Sequence, residues 1–478
     1  MKRLPLLLLL AGCAVGPDFA PPKAPDATRF TPTDLPAQTA GNNPQRFQPG
    51  GDIPAQWWTL FHSKPLNGLV EAALKNNPTL TAVQAALRQA AENVRAQQGN
   101  YFPTVMLNPT ISRNLTPTAA ISPASASGSA YYTLITPQLS VSFVPDVFGA
   151  NQRAVESLAA QAENQRYQLL ATQLTLTANV VTGAIQEASL RGQIEATEQS
   201  IAAVTELLAI LRKQYALGQV SMADVAAQET ALAQTRQLLP PLRKQLAQQR
   251  DALIALVGRL PDQDLIETFD LKSIILPTDL PVSLPSKLVE QRPDVKAAEA
   301  TMHAASAQIG QAVAARLPQI ALTGNVGSSA SRFAALFTPG TNFWTVAGGL
   351  TAPIFDAGTL LHKQRAAEAG FEQAAAQYKS TVLTGFQNVA DALQALHADA
   401  DALKAATEAQ RAAERSLSIA RAQLNAGQVA YPVLLTAQQA VQTARLAKVQ
   451  AQAGRLADTV ALFQALGGGW WNMPPETP

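Results

Sequence analysis

Apolar side chains return at helical intervals along residues 151–216, as at Val204, Leu207, Leu208, Leu211 and Tyr215. Gln193, Glu195, Glu198 and Gln199 hold polar positions in the same stretch. That period predicts an amphipathic helix. No proline interrupts Asn151 to Ala216 or Thr359 to Ala426, so each helix could run for about 100 Å at 1.5 Å per residue. A single compact domain cannot bury such a rod.

A second pattern lies before each long helix. Val105, Leu107 and Ile111 alternate with polar or small residues; a Pro/Ala/Ser-rich loop follows (Thr116 to Ser129), and Tyr131, Thr133, Ile135, Leu139, Val141 and Phe143 resume the alternation. Farther on, Ile320 and Leu322 precede a loop, and Trp344, Val346 and Leu350 follow it. Period-two alternation over about ten residues fits a membrane β-strand, apolar toward lipid and polar toward a lumen. It also fits half-buried hairpins of a soluble domain.

The landmarks between these elements come twice. Asn77-Pro78 and Arg292-Pro293 each open a helical stretch, and in both the next landmark proline, Pro103 or Pro318, lies 25 residues on. Val144-Pro145-Asp146-Val147-Phe148-Gly149 matches Ala352-Pro353-Ile354-Phe355-Asp356-Ala357-Gly358. Gly218-Gln219-Val220 matches Gly427-Gln428-Val429, and Val257-Gly258 matches Leu466-Gly467. The offset is 215 for the first pair and 209 for the last three. One unit is written twice, each copy reading short helix, two strands, very long helix, turn, short helix.

The lengths suggest how the helices pack. Residues 68–100 and 221–257 together approach the 66 residues of 151–216, and 286–315 with 430–466 approach the 68 of 359–426. Two short helices stacked end to end would lie along one long one, and abundant Ala permits close approach. Pro240-Pro241 should break the first copy's last helix near Leu239; Val449-Gln450 stands at the equivalent place in the second. The expected organisation is a leader (1–12), an N-terminal extended or equatorial segment (13–67), repeat one (68–258), a linker (259–285), repeat two (286–467) and a tail (468–478).

The N-terminus adds a compartment. Lys2, Arg3, the run Leu6 to Leu10 and Leu10-Ala11-Gly12-Cys13 read as a signal peptide with a cysteine after the cleavage site. Cys13 is the single cysteine in 478 residues, so no intrachain disulfide can form, and acylation would remove a reactive thiol. The arrangement resembles the bacterial lipoprotein signal, and Ala14 follows the cysteine where an aspartate would, in lipoproteins of that kind, favour inner-membrane retention. After the leader, 34 basic residues face 34 acidic ones, and that neutrality excludes the basic field that nucleic-acid binding relies on. No apolar run of 18 residues follows the leader, so a membrane crossing would have to use strands.

Four strands cannot close a membrane barrel, since the smallest have about eight and open edges are not tolerated in lipid. Three copies would supply twelve strands and a helical cylinder lined by Gln, Ser and Thr. The product would be a water-filled conduit.

The chain resembles the outer-membrane efflux proteins of the TolC and OprM type, most closely the lipoprotein branch called the NodT family. The markers are Cys13-Ala14-Val15-Gly16-Pro17-Asp18-Phe19, Pro21-Pro22, Trp57-Trp58, Phe61, Asn76-Asn77-Pro78, Pro145-Asp146-Val147-Phe148-Gly149 and Gln291-Arg292-Pro293-Asp294-Val295. The resemblance implies a mainly α fold with a small β part. Three chains would share a 12-stranded β-barrel in the outer membrane and an α-barrel tunnel through the periplasm. It further implies a lipid on Cys13, a periplasmic adaptor protein, an inner-membrane pump of the RND type and passive exit of small compounds. A type I protein-secretion channel and a non-pore coiled-coil scaffold lipoprotein are the alternatives.

By the same resemblance the periplasmic tips, where the adaptor docks, fall at Gly218, Gln219, Val220 and Ser221 with Asp224, and at Gly427, Gln428, Val429 and Ala430. Relatives often close the entrance with an acidic residue where this chain has Thr436, and Pro432 lies near the other gating position. Closure is therefore expected from apolar packing and hydrogen bonds of Tyr431, Leu434 and Thr436.

No P-loop, His-Glu-x-x-His, Gly-x-Ser-x-Gly elbow or zinc-ligand spacing occurs, so neither enzyme activity nor a metal cofactor is expected. Asp391, His397, Asp399 and Asp401 read as a solvated helix face, and His303 as a packed or exposed helix residue. Five methionines and four histidines form no ladder for metal transport.

Overall fold

Prolines set the helix boundaries in the computed structural model, which describes residues 14–33, 36–41, 43–115, 131–265 and 267–473. Cys13, the leader before it and the Thr116 to Ser129 loop lie outside these residues. In chain order the elements are β1 (Arg46–Pro49), α1 (Lys64–Asn76), α2 (Pro78–Gln98), β2 (Thr104–Leu115) and β3 (Tyr131–Phe143), then α3 (Ala150–Ala216), α4 (Met222–Gln237) and α5 (Leu239–Leu256). There follow β4 (Asp279–Val282), α6 (Pro285–Gln291), α7 (Pro293–Ala314), β5 (Gln319–Ser328), β6 (Asn342–Thr351), α8 (Thr359–Asn425) and α9 (Tyr431–Ala465).

The residue before a proline is pushed out of the helical region, and Asn77 and Arg292 accordingly break α1 from α2 and α6 from α7 in extended conformation. The expected short helices are thus each two pieces. Asn77 Oδ1 accepts from the Thr79 and Leu80 amides, and its Nδ2 donates to Leu256 O at 2.9 Å. Arg292 donates to Ala465 O at 2.8 Å and pairs with Asp294. Beside these breaks Gly258 and Gly467 have positive φ, and a Cβ there would come within 2.4 Å of Asn76 O and 2.5 Å of Gln291 O. Glycine alone fits that approach. Pro240-Pro241 open α5 one residue past the end of α4, whereas α9 runs unbroken for 35 residues.

The chain separates into two compact units, each drawing segments from both halves of the sequence. One comprises the described residues up to Pro22, Leu87–Gln165 and Ala298–Tyr378. It holds a four-stranded antiparallel sheet of order β2-β3-β5-β6. Its N-terminal arm is clasped by Arg153, only 4 % exposed, which donates to the carbonyls of Val15 and Gly16 and pairs with Asp18 and Glu156. Phe19 stacks on His303, with ring centroids 4.4 Å apart, and His303 also meets Glu156.

The other unit, Lys23–Ala86, Arg166–Ala297 and Lys379–Pro478, contains the larger apolar core. Trp57, Phe61 and Phe463 meet edge-on or tilted, with Ile53, Leu66 and Leu253 around them. Beside this core β1 and β4 pair in parallel, Phe47 opposite Leu280.

A buried polar network in the same unit corrects the reading of residues 391–401 as a solvated face. Asp391 and Asp401 are exposed, but His397 turns its Nε2 inward against the Phe47 ring, and Asp399 meets Asp458 with one oxygen sealed from water. Burial pushes the His397 imidazole below its ordinary value, opposed by Asp401. Arg455, 3 % exposed, donates to Gln45 Oε1, Thr39 Oγ1 and Asn43 O. Two carboxyl groups in contact cannot both ionise cheaply. Burial, reinforced by Asp458, raises Asp399 from 3.8 to about 7.

Because the folded chain holds that proton more tightly than the unfolded one, its contribution to stability is full below pH 3.8 and gone once pH has risen past about 7. Asp399→Asn, a permanent donor to Asp458, should remove this slope. Thermal melts at pH 8 should then exceed the parent by about 1–2 kcal/mol after allowing for solvent screening, and melts at pH 4 should match it. Parallel melting curves at the two pH values would refute the shared proton.

Candidate functional site

Both long helices end in the same turn. At the end of α3, Gly218 takes φ +72, its N–H donates to Tyr215 O, and the Gln219 N–H reaches back to Gln214 O. At the end of α8, Gly427 takes φ +71 and the bonds run to Leu424 O and Gln423 O. This double bond pattern is the Schellman arrangement, which needs a left-handed residue at the glycine. The following helices start differently. Ser221 caps α4: its hydroxyl accepts from the Asp224 amide at 3.2 Å, and Asp224 accepts from the Ser221 amide at 3.1 Å. Ala430 offers α9 no such cap. Ser221→Ala should cost about 1 kcal/mol at this end and speed amide hydrogen exchange in the first turn of α4 about fivefold. An unchanged exchange rate there would refute the capping role.

Gly218, Gln219, Gly427 and Gln428 are exposed, while Val220 and Val429 are half-buried. Between the turns lies a groove of about 730 Å³ lined by Ile210, Val220, Leu424, Val429 and Tyr431. Of the residues expected to close the entrance, Tyr431 and Leu434 come together, 6 % and 1 % exposed, in a cluster with Val204, Leu208, Leu211 and Val225. Thr436 is left outside, exposed, its hydroxyl donating to Pro432 O.

Sequence reasoning missed the partner of Tyr431. The phenol donates to Gln228 Oε1, and Gln228 Nε2 donates to Val204 O at 2.9 Å, tying α9 to α4 and α3. Gln228 is fully buried. Its signal was a polar residue on the apolar stripe of Val225 and Leu232. Burial, with Asp224 second, pushes the Tyr431 hydroxyl above its ordinary value, so it stays a donor at neutral pH.

The sheet presents a second candidate surface. On one face Val105 pairs with Val141, Leu107 with Leu139, Leu139 with Val326, Val326 with Trp344 and Ile320 with Leu350. Trp344, Val346 and Leu350 are each at least 70 % exposed. The opposite face carries Thr104 against Ser142, Asn108 against Gln138 and Asn325 against Thr345. An exposed apolar face on an alternating strand is what lipid contact requires. The outer edges of β2, 12 residues long, and β6, 10 residues long, have no strand partner within the described chain. No helix among the described residues is long and apolar enough to cross a membrane.

Ala14, the first described residue, packs on Gly149 at the corner between β3 and α3, and Val15 N–H donates to Phe148 O. No group of three or more His, Cys, Asp or Glu among the described residues is placed to hold a metal ion.

The family described as outer membrane efflux protein matches residues 69–259 and 284–468. The probable efflux pump outer membrane protein TtgC of Pseudomonas putida is 28% identical over 478 residues, covering 97% of this chain and 94% of the relative. The cation efflux system protein CusC of Escherichia coli O157:H7 is 27% identical over 485 residues, covering 98% and 99%. Among solved structures, the outer-membrane channel OprN superposes with a TM-score of 0.86 at 24% identity over 96% of this chain and 100% of that one. The Campylobacter jejuni CmeC channel gives 0.86 at 21% over 96% and 95%. At those identities the likeness speaks to the fold: mainly helical with a small sheet.

Proposed function

The chain belongs to the outer membrane efflux protein family, and from that premise we propose that three copies form the passive exit duct of a tripartite efflux system. The protein is an outer-membrane component reaching into the periplasm, and it is not an enzyme. Energy and selection come from its partners. In this reading the four strands of each chain close with those of two others into a 12-stranded barrel, and the long helices, in two repeats, form the periplasmic tunnel.

The observation that carries the reading is the sheet's combination of an exposed apolar face with unpaired edges. In lipid each unsatisfied backbone group costs several kcal/mol, so sister chains must supply the missing ladders. Exposed Tyr101 and Phe102 before β2, and Ile354 and Phe355 after β6, suit the interfacial belt that flanks a lipid-facing band.

The two turns and the groove between them are the proposed adaptor contacts, with Gly218, Gln219, Val220, Ser221 and Asp224 on one side and Gly427, Gln428, Val429 and Ala430 on the other. Tyr431 and Leu434 would hold the tip closed from within its own core, and Thr436 would act at the exposed surface. A lipid on Cys13 would anchor the chain beside the corner where Ala14 packs on Gly149. The pump is proposed to be of the RND type.

The relatives' names span toluene, pyoverdine and cations at 27–29% identity. So wide a spread at uniform similarity supports cargo selection upstream, with this chain a water-filled path for small compounds.

The test is the assembled state. Full-length protein extracted in detergent should migrate as a heat-sensitive trimer and conduct ions in planar bilayers, and crosslinks at Gln219 and Gln428 should capture an adaptor. A stable single-copy particle without conductance would leave the scaffold alternative and overturn the duct.

A further inference from the structure

Residues 104–143 and 319–351 hold β2, β3, β5 and β6 with their connecting loops, and they contain no Asp, Glu, Lys or His. Their charged residues are two arginines, Arg113 and Arg332. Both stand at the strand ends that do not join helices. Arg113, near the end of β2, pairs with Thr133, two positions along β3 from Ile135. Arg332 lies two positions past Ala330, which bridges Ile135 from its other side. The two arginines, both exposed, thus flank one row of the sheet. At the opposite strand ends Asp146 and Asp356 are engaged by the first amides of α3 and α8.

Alternation puts Arg113 on the apolar face with Val105, Leu107 and Ile111. From Val105 to Arg113 the strand rises about 26 Å, which brings Arg113 to the far margin of an apolar band about 25 Å tall. The loop that carries Arg332 is tied in place. Ser328, fully buried, accepts from the Phe337 amide at 3.0 Å and donates to Thr341 Oγ1 at 2.9 Å. Phe337 takes φ +64, a left-handed backbone uncommon for a bulky residue. Phe333 and Phe337 are nonetheless 67 % and 69 % exposed.

Phenyl rings held outward beside cations suit a surface that is apolar below and anionic above. No carboxylate in these segments is available to neutralise the arginines, and a guanidinium grips a phosphate through two parallel hydrogen bonds. We propose that Arg113 and Arg332, with Phe333 and Phe337, bind the phosphate-bearing headgroup of a lipid at the outer rim of the barrel. The assignment of this face to lipid rests on the duct reading.

The probe is dioctanoyl phosphatidic acid, added to the purified full-length protein in detergent and counted by native mass spectrometry. Dioctanoylglycerol, with the same tails and no phosphate, and inorganic phosphate are the controls. Phosphatidic acid should bind saturably, dioctanoylglycerol at least about tenfold more weakly, and inorganic phosphate at equal concentration should not displace the lipid. Arg113→Gln with Arg332→Gln should weaken binding at least about tenfold at unchanged trimer yield. Phe333→Ser with Phe337→Ser keeps the charges and should weaken it at least about threefold, which reads the same site should the first pair assemble poorly. Equal affinity in both pairs, displacement by free phosphate, or altered conductance with lipid binding unchanged, as side chains turned across the lumen would give, overturns the site. Lipid binding that persists in a non-conducting single copy would strike the duct and spare the site; a conducting trimer indifferent to the phosphate would strike the site alone.

Discussion

In the proposed assembly, Val346→Arg should abolish the membrane-inserted trimer, whereas Thr345→Arg, one residue away, should retain it. Val346 lies mid-strand in β6, 77 % exposed on the apolar face, and pairs with Gly324; Thr345 pairs with Asn325 on the polar face. Successive strand residues point to opposite faces, so one position decides between lipid and lumen. An arginine at the midplane of a barrel's lipid face costs about 2–4 kcal/mol, and threefold symmetry would incur it three times. Outer-membrane fractions run unheated on gels would read the outcome. Equal trimer yield from the two variants would refute the assignment of the faces.

Arg455→Met should be the most damaging single change in the helical core. Its guanidinium holds Gln45, Thr39 and the Asn43 carbonyl at 2.7–3.0 Å, and Gln45 in turn reaches Thr459 and the Pro277 carbonyl. Deleting the guanidinium leaves three acceptors, two of them on buried residues, without their donor, at about 1–3 kcal/mol each and about 3–5 kcal/mol together after relaxation. Burial already lowers the affinity of Arg455 for its proton, while the nearby Asp399 carboxylate favours the charged form. With that cation gone, Asp399 should hold its proton above the present value of about 7. Calorimetry across pH would therefore show both a large loss of stability and a titration moved upward. A loss below about 1 kcal/mol, or an unmoved titration, would exclude the network as a determinant of the fold.

The contrast between Pro240 and Asp399 shows where sequence reading succeeds. Pro78, Pro293 and Pro240 break helices through their own rings, and Gly218 and Gly427 end them through their own φ, so local chemistry is enough. Asp399 looked solvated because Asp391, His397 and Asp401 stand close to it in sequence and spread around the helix; Asp458 and Arg455, more than 50 residues away in the sequence, become its neighbours only when α9 packs on α8. Gln228 could have been found as a polar interruption of an apolar stripe. Its role needed Tyr431, two hundred residues on, to be placed against it. Tyr431 and Leu434 read as residues that close the entrance by apolar packing and hydrogen bonds; which helices they pack against became legible only in the four-helix cluster.

By itself the sequence determined the kinds and limits of the elements: two uninterrupted helices, strands that alternate with period two, and breaks and turns at proline and glycine. Each follows from the conformations open to a residue and its immediate neighbours. Tertiary structure alone decided the strand order β2-β3-β5-β6, the partners of Arg455 and the pairing of Gln228 with Tyr431. Those outcomes depend on which distant groups share a desolvated space, where pairing or its absence is worth kilocalories that no local pattern records.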